Sequence, residues 1–285
     1  MIAPIGVFDS GVGGLTVLRA LRAAMPEENF IYLGDTARLP YGTKSAETVV
    51  RYSLQCASAL IERGVRCLVV ACNTVSASAL DALRRHHPTL PVIGVIEPGA
   101  RAAAAVSVSQ HIAVIATEGT IGGGAYKTAI HRSSPFARVT SRACSLFVSM
   151  AEEGWTEGPI TEAVARRYLD PIFQCEEAPD TLVLGCTHFP ALAGAISAVL
   201  PPRVIIVDSA ATTAAAVLRQ LHGEKRPFCG TGLLGERGVL GERGVWGERG
   251  VVTWLATDGA ARFARVSGTF LGETLPADAI EIIDL

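Results

Sequence analysis

The sequence has no apolar run approaching the roughly 18 residues that cross a bilayer, so no membrane-spanning helix is expected. It also lacks a basic segment followed by a hydrophobic core at its start. Met1-Ile2-Ala3-Pro4 leads directly into an apolar strand and Asp9, so no secretion signal is expected. Charge is scarce, at 18% of residues and a net −2, which leaves no electrostatic footprint for nucleic acid or an anionic membrane. The seven cysteines, at 56, 67, 72, 144, 175, 186 and 229, are odd in number and scattered, which suits reduced thiols in a cytoplasmic compartment rather than a disulfide framework.

What is present is a hydrophobic content of 49% in 285 residues, enough for one large or two medium packed domains. Short apolar runs alternate with helical patterns, as a doubly wound parallel sheet requires. Strands are expected at 4–8, 30–35, 68–71 and 92–96, with a helix from about Leu15 to Ala24 and another from near Ser45. A second series follows, with strands at 112–115, 182–184 and 204–207 and an alanine-rich helix capped by Asp208 or Ser209 and stopped at Gly223. Each series places a strand-end polar turn before a strand that ends in cysteine. The separation is 63 residues from Asp9 to Cys72 and 69 from Thr117 to Cys186.

The expected architecture is therefore α/β: two similar doubly wound parallel-sheet domains related by pseudo-two-fold symmetry, with the active site in the cleft between them. Residues 1–96 plus 208–285 form the domain carrying Asp9 and Cys72; residues 97–207 form the one carrying Cys186 and His188. Gly235-Glu236-Arg237-Gly238-Val239 recurs at 241–245 and 247–251, which reads as a repetitive surface insertion over 235–251.

Cys72 and Cys186 end buried-type strands, and each is expected at the start of the next helix, where backbone amides and the helix dipole would lower the thiol pKa. Cys56, Cys67, Cys144 and Cys175 read as small buried hydrophobes. Two opposed thiols can remove a proton from one face of a carbon and return one to the other, inverting a stereocentre without a cofactor. Amides and hydroxyls of Ser10-Gly11, Asn73-Thr74 and Thr187 are suitable donors to a substrate carboxylate. Asp9 suits a substrate ammonium or assistance to Cys72, and His188 the equivalent part beside Cys186. Glu152, read on its own, is a helix-surface charge.

Three other chemistries compete. Gly11 and Gly13 follow a strand and Asp35 lies 21 residues beyond Gly14, as in a dinucleotide site. Against this, Thr16 stands where a third small residue belongs, and Asp9 would repel the pyrophosphate. Cys72, Cys186 and His188 could bind zinc but lack closely spaced ligand pairs. The same two-thiol mechanism could also act on aspartate or another acidic amino acid.

Together these pieces resemble glutamate racemase. The matching stretches are Phe8-Asp9-Ser10-Gly11-Val12-Gly13-Gly14-Leu15-Thr16-Val17, Gly34-Asp35-Thr36 with Pro40-Tyr41-Gly42, Ala71-Cys72-Asn73-Thr74, Gly94–Gly99, Thr117–Ile121 and Leu184–Pro190. The resemblance implies cofactor-independent, metal-free interconversion of L- and D-glutamate, supplying peptidoglycan. Cys72 would act on D-glutamate with Asp9, and Cys186 on L-glutamate with His188 and Glu152. It further implies substrate contacts from Asp9, Ser10, Tyr41, Gly42, Asn73, Thr74, Thr117, Thr120, Thr187 and His188, a homodimer, and in some members activation by a peptidoglycan precursor. The chain departs from the pattern at Ser149, where proline is commoner, which bears on the setting of Glu152, and in the 235–251 repeat.

Overall fold

A computed structural model describes residues 3–223, 233–234 and 250–285; most of the expected 235–251 insertion, and Cys229, lie outside the described residues. The first sheet begins with β1 (Ile5–Asp9), β2 (Phe30–Gly34), β3 (Cys67–Val70) and β4 (Val92–Gly94). The second sheet holds β5 (His111–Ala116), β6 (Arg138–Ala143), β7 (Thr181–Gly185), β8 (Ile205–Asp208) and β9 (Leu233–Leu234). The chain then returns to the first sheet with β10 (Val252–Ala256) and β11 (Ile280–Ile282). Strand order is β11-β10-β2-β1-β3-β4 in one sheet and β6-β5-β7-β8-β9 in the other. Among the described residues every pairing is parallel except β8 with β9.

The two sheets repeat one device. In the first, Phe8 pairs with Val70, so Asp9 and Ala71-Cys72 emerge side by side from neighbouring strands. In the second, Ala116 pairs with Gly185, so Thr117 and Cys186 emerge together. Strands β1, β3, β5 and β7 are buried at every residue, as central strands covered on both faces must be.

Side chains alternate between faces. Phe8, Leu68 and Val70 join a core cluster with Val49 and Leu60 of the helix Ala46–Glu62. Ile5, Val7 and Val69 face the other way, into a larger cluster that includes Ile112, Val114, Leu182 and Leu184 of the second sheet. The helices Leu15–Ala24 and Ser209–His222 pack together within it and join the halves.

Local signals hold where chemistry dictated them. Ser45 caps the helix Ala46–Glu62 by accepting from Thr48 N, and Asp208 caps Ser209–His222 by accepting from Ala210 N at 2.8 Å. Gly223 ends that helix at φ +73°.

Several expectations need correction. The strand expected at 92–96 stops at Gly94, and the helix Ile96–Val106 starts inside it. Pro98 falls in that helix's first turn, where a missing N–H costs nothing. Residues 208–285 do not all return to the first sheet, since Leu233–Leu234 pairs on the edge of β8 in the second. Cys56, Cys67 and Cys144 are buried, but Cys175 is exposed, beyond the end of the helix Pro159–Phe173 rather than on a strand.

Candidate active site

Both strand-end cysteines are buried, each 6% exposed. Cys72 is the N-cap of the short helix Asn73–Ser78, and its Sγ lies 3.3 Å from Ser10 Oγ. The thiol is nonetheless pushed up to about 12. Burial is the main cause and the charge of Asp9 adds to it, against the Ser10 hydrogen bond. The expected lowering by the helix start is therefore overturned, because six residues of helix do not offset complete desolvation beside a carboxylate.

Asp9 is fully buried at the tip of β1. Its Oδ2 accepts from Gly11 N at 2.9 Å, whereas Oδ1 finds no hydrogen-bond partner among the described residues. Burial raises its pKa, opposed by the charge of His188 and by the amides of Gly14, Gly11 and Ser10.

Cys186 departs from the expected setting. It is followed by a 3₁₀ turn, Phe189–Leu192, with Pro190 in it, and the helix Ala193–Val199 begins only afterwards. Its neighbour is instead an imidazole, with His188 Nδ1 3.7 Å from Cys186 Sγ. His188 Nε2 meets Glu152 Oε1 at 3.0 Å, and the Phe270 ring packs nearly perpendicular to the imidazole with centroids 5.1 Å apart. Burial alone would push His188 down, but its hydrogen bonds to Cys186 and Glu152 and their charges raise it to about 10. Burial likewise works against ionised Glu152, and His188 and Arg262 overcome it, holding that carboxyl below its ordinary range. Glu152 is thus no surface charge: its side chain is 13% exposed and both oxygens are engaged. Serine at 149 does not remove it from the site.

Asn73 is 3% exposed; its Oδ1 accepts from Tyr126 Oη at 2.7 Å, while Nδ2 has no partner among the described residues. Thr74 Oγ1 lies 3.0 Å from Thr117 Oγ1 and 3.3 Å from Thr120 Oγ1, and those two lie 3.1 Å apart. Three hydroxyls from both halves thus converge. Tyr41 is buried with its hydroxyl donated to Asp35, so its 3₁₀ turn presents backbone rather than the phenol. Gly42 abuts this hydroxyl group; a Cβ there would stand 2.9 Å from that of Thr117. Thr187 accepts from Thr16 Oγ1 through its carbonyl, at 3.0 Å.

These contacts thus join Ser10 with Cys72, Thr74 with Thr117 and Thr120, and Cys186 with His188 and Glu152, with Asp9, Asn73 and Thr187 adjoining them in the chain, while the Tyr41 hydroxyl turns to Asp35. Among the described residues no three His, Cys, Asp or Glu side chains are grouped to hold a metal ion. Sequence reasoning missed Tyr126, Thr16, Phe270 and Arg262. Each acts through a partner more than 50 positions away in the chain, a separation without a local signal.

The family model described as Asp/Glu/Hydantoin racemase matches residues 15–217. Over 95% of this chain and 93% of its own length, a glutamate racemase of Geobacter metallireducens is 49% identical. The crystal structure of the Francisella tularensis glutamate racemase with D-glutamate superposes at a TM-score of 0.84 and 34% identity, covering 99% of this chain and 97% of that one. A glutamate racemase structure from Thermus thermophilus, with β-chloro-D-alanine, gives 0.80 and 41%, covering 99% and 97%. Matched over most of its length by one family model, and by close relatives along nearly all of it, the chain belongs to the Asp/Glu/Hydantoin racemase family.

Proposed function

We propose that this protein interconverts L- and D-glutamate by two-base proton transfer between Cys186 and Cys72, without a cofactor. The observation that carries the reading is a pair of buried polar atoms of opposite character, Asp9 Oδ1 and Asn73 Nδ2, that have no partner among the described residues. A buried polar atom without a partner costs about 1–3 kcal/mol, which is tolerated where a ligand supplies the partner. An α-amino acid supplies both: its ammonium suits the aspartate and its carboxylate the amide N–H.

With L-glutamate so held, Cys186 takes the α-proton as a thiolate and the C–H electron pair passes into the carboxylate. Hydrogen bonds from Asn73 and nearby amides stabilise that charge. Cys72, protonated, delivers its proton to the opposite face, and D-glutamate leaves. The reverse reaction exchanges the two roles. The imidazolium of His188 favours negative charge on the Cys186 sulfur, and Asp9 assists Cys72. The Thr74–Thr117–Thr120 hydroxyls and the Tyr41–Gly42 backbone suit the distal carboxylate. This reading carries with it D-glutamate supply to peptidoglycan in the cytoplasm and a homodimer, in a family some of whose members respond to a peptidoglycan precursor.

The test is turnover in deuterated water without pyridoxal phosphate or metal. L-glutamate should yield D-glutamate carrying α-deuterium, and aspartate should react far more slowly. Product that retains the α-hydrogen, or preference for aspartate, would contradict it.

A further inference from the structure

The Cys186 side of the site is completed by the first-sheet half of the molecule. The helix Ala260–Leu271 connects β10 to β11, both in the first sheet, and Phe263 anchors it against Tyr32 of β2, ring centroids 5.9 Å apart. Arg262, Val266 and Phe270 recur four apart on it and so share one stripe. Both ends of that stripe reach the second-sheet half. Phe270 packs nearly perpendicular to the His188 ring, and Arg262 Nη2 donates to Glu152 Oε2 at 2.8 Å. Glu152 lies on the helix Leu146–Glu152, in the second half, and its other oxygen holds His188. The line runs Arg262–Glu152–His188–Cys186, crossing between the halves at its first link.

We propose that Arg262 is a positioning residue for the Cys186 base: closing the two halves sets its guanidinium on Glu152, and this fixes the carboxylate that orients His188 against the thiol. Glu152 is 13% exposed and Arg262 54%, so the arginine covers the carboxylate from the solvent side. Opening the cleft would separate the pair and release Glu152. This rests on the assignment of Cys186 to L-glutamate made above.

Enantiomers have an equilibrium constant of unity, so any variant must change kcat/KM equally in both directions. Isotope effects escape that constraint, because each reports one side. The deuteron of α-deuterated L-glutamate leaves to Cys186, and that of the D-enantiomer to Cys72. Arg262→Gln should lower kcat/KM about tenfold, the size of one charge-assisted hydrogen bond. Its primary isotope effect should rise with α-deuterated L-glutamate and fall with the D-enantiomer, and Arg262→Lys should restore most of the rate and the wild-type isotope pattern. A general loosening of the fold would move both isotope effects together. That result, or an unchanged rate, would overturn the proposal. Wild-type enzyme run alongside separates the premises: if it failed to release α-deuterium to solvent, the two-base reading itself would fall, and this one with it.

Discussion

Burial and the Asp9 carboxylate push the Cys72 thiol up to about 12, whereas Cys186 faces an imidazole itself raised to about 10. In the closed site Cys72 is therefore a thiol and His188 a cation, a distribution that suits attack on L-glutamate. The histidine also links the site to stability. Its pKa in the fold lies above the ordinary 6.5, so the folded state favours the protonated ring. That contribution is full below pH 6.5 and is lost as pH rises through about 10. The melting-temperature difference between wild type and His188→Asn should accordingly shrink across that window. A difference independent of pH would mean that His188 is not charged in the fold. Cys72, Cys186, Asp9 and His188 were legible as candidates because reactive side chains follow apolar runs. Their protonation was not, because it depends on burial and on partners remote in sequence. The apolar run before Cys72 signals burial, but not that burial and the Asp9 charge outweigh the helix start.

Among the elements, the glycine-rich turn after β1 carries more of the site than its local pattern reveals. A Cβ on Gly13 would stand 2.5 Å from the His188 ring and from Thr187 Oγ1. The ring cannot simply retreat, since Glu152 and Phe270 hold it. Gly13→Ala should therefore fold normally by circular dichroism yet lose activity by about a hundredfold, as a displacement near 1 Å costs in a positioned site. Near wild-type turnover would show that this contact is not a constraint. In the sequence Thr16 and Asp9 already argue against a phosphate-binding turn, but the approach of Gly13 to His188 has no local signal. The strand ends and helix caps were readable because apolar runs, Ser45, Asp208 and Gly223 act locally. The end of β4 was not, since Val95-Ile96 continues an apolar run yet turns into a helix. The 3₁₀ turn after Cys186 was also missed, and it leaves His188, rather than a helix start, beside the sulfur.

At the scale of the whole molecule, two sheets of like topology bring Cys72 and Cys186 to one cleft, with different partners. The sequence echo of strand, polar turn and cysteine-tipped strand was enough to expect two α/β halves with a site between them. It could not place β9 in the second sheet or bring the helix Ala260–Leu271 over His188, because such contacts join segments far apart in the chain. On the proposed assignment each thiol serves one enantiomer. This is tested most directly by following α-deuterium uptake from deuterated water into each glutamate enantiomer, with Cys72→Ala and Cys186→Ala. Both variants should fail to racemise. Cys72→Ala should exchange the α-proton of L-glutamate only, and Cys186→Ala that of D-glutamate only. Near-normal racemisation by either variant, or exchange of the same enantiomer by both, would contradict the account.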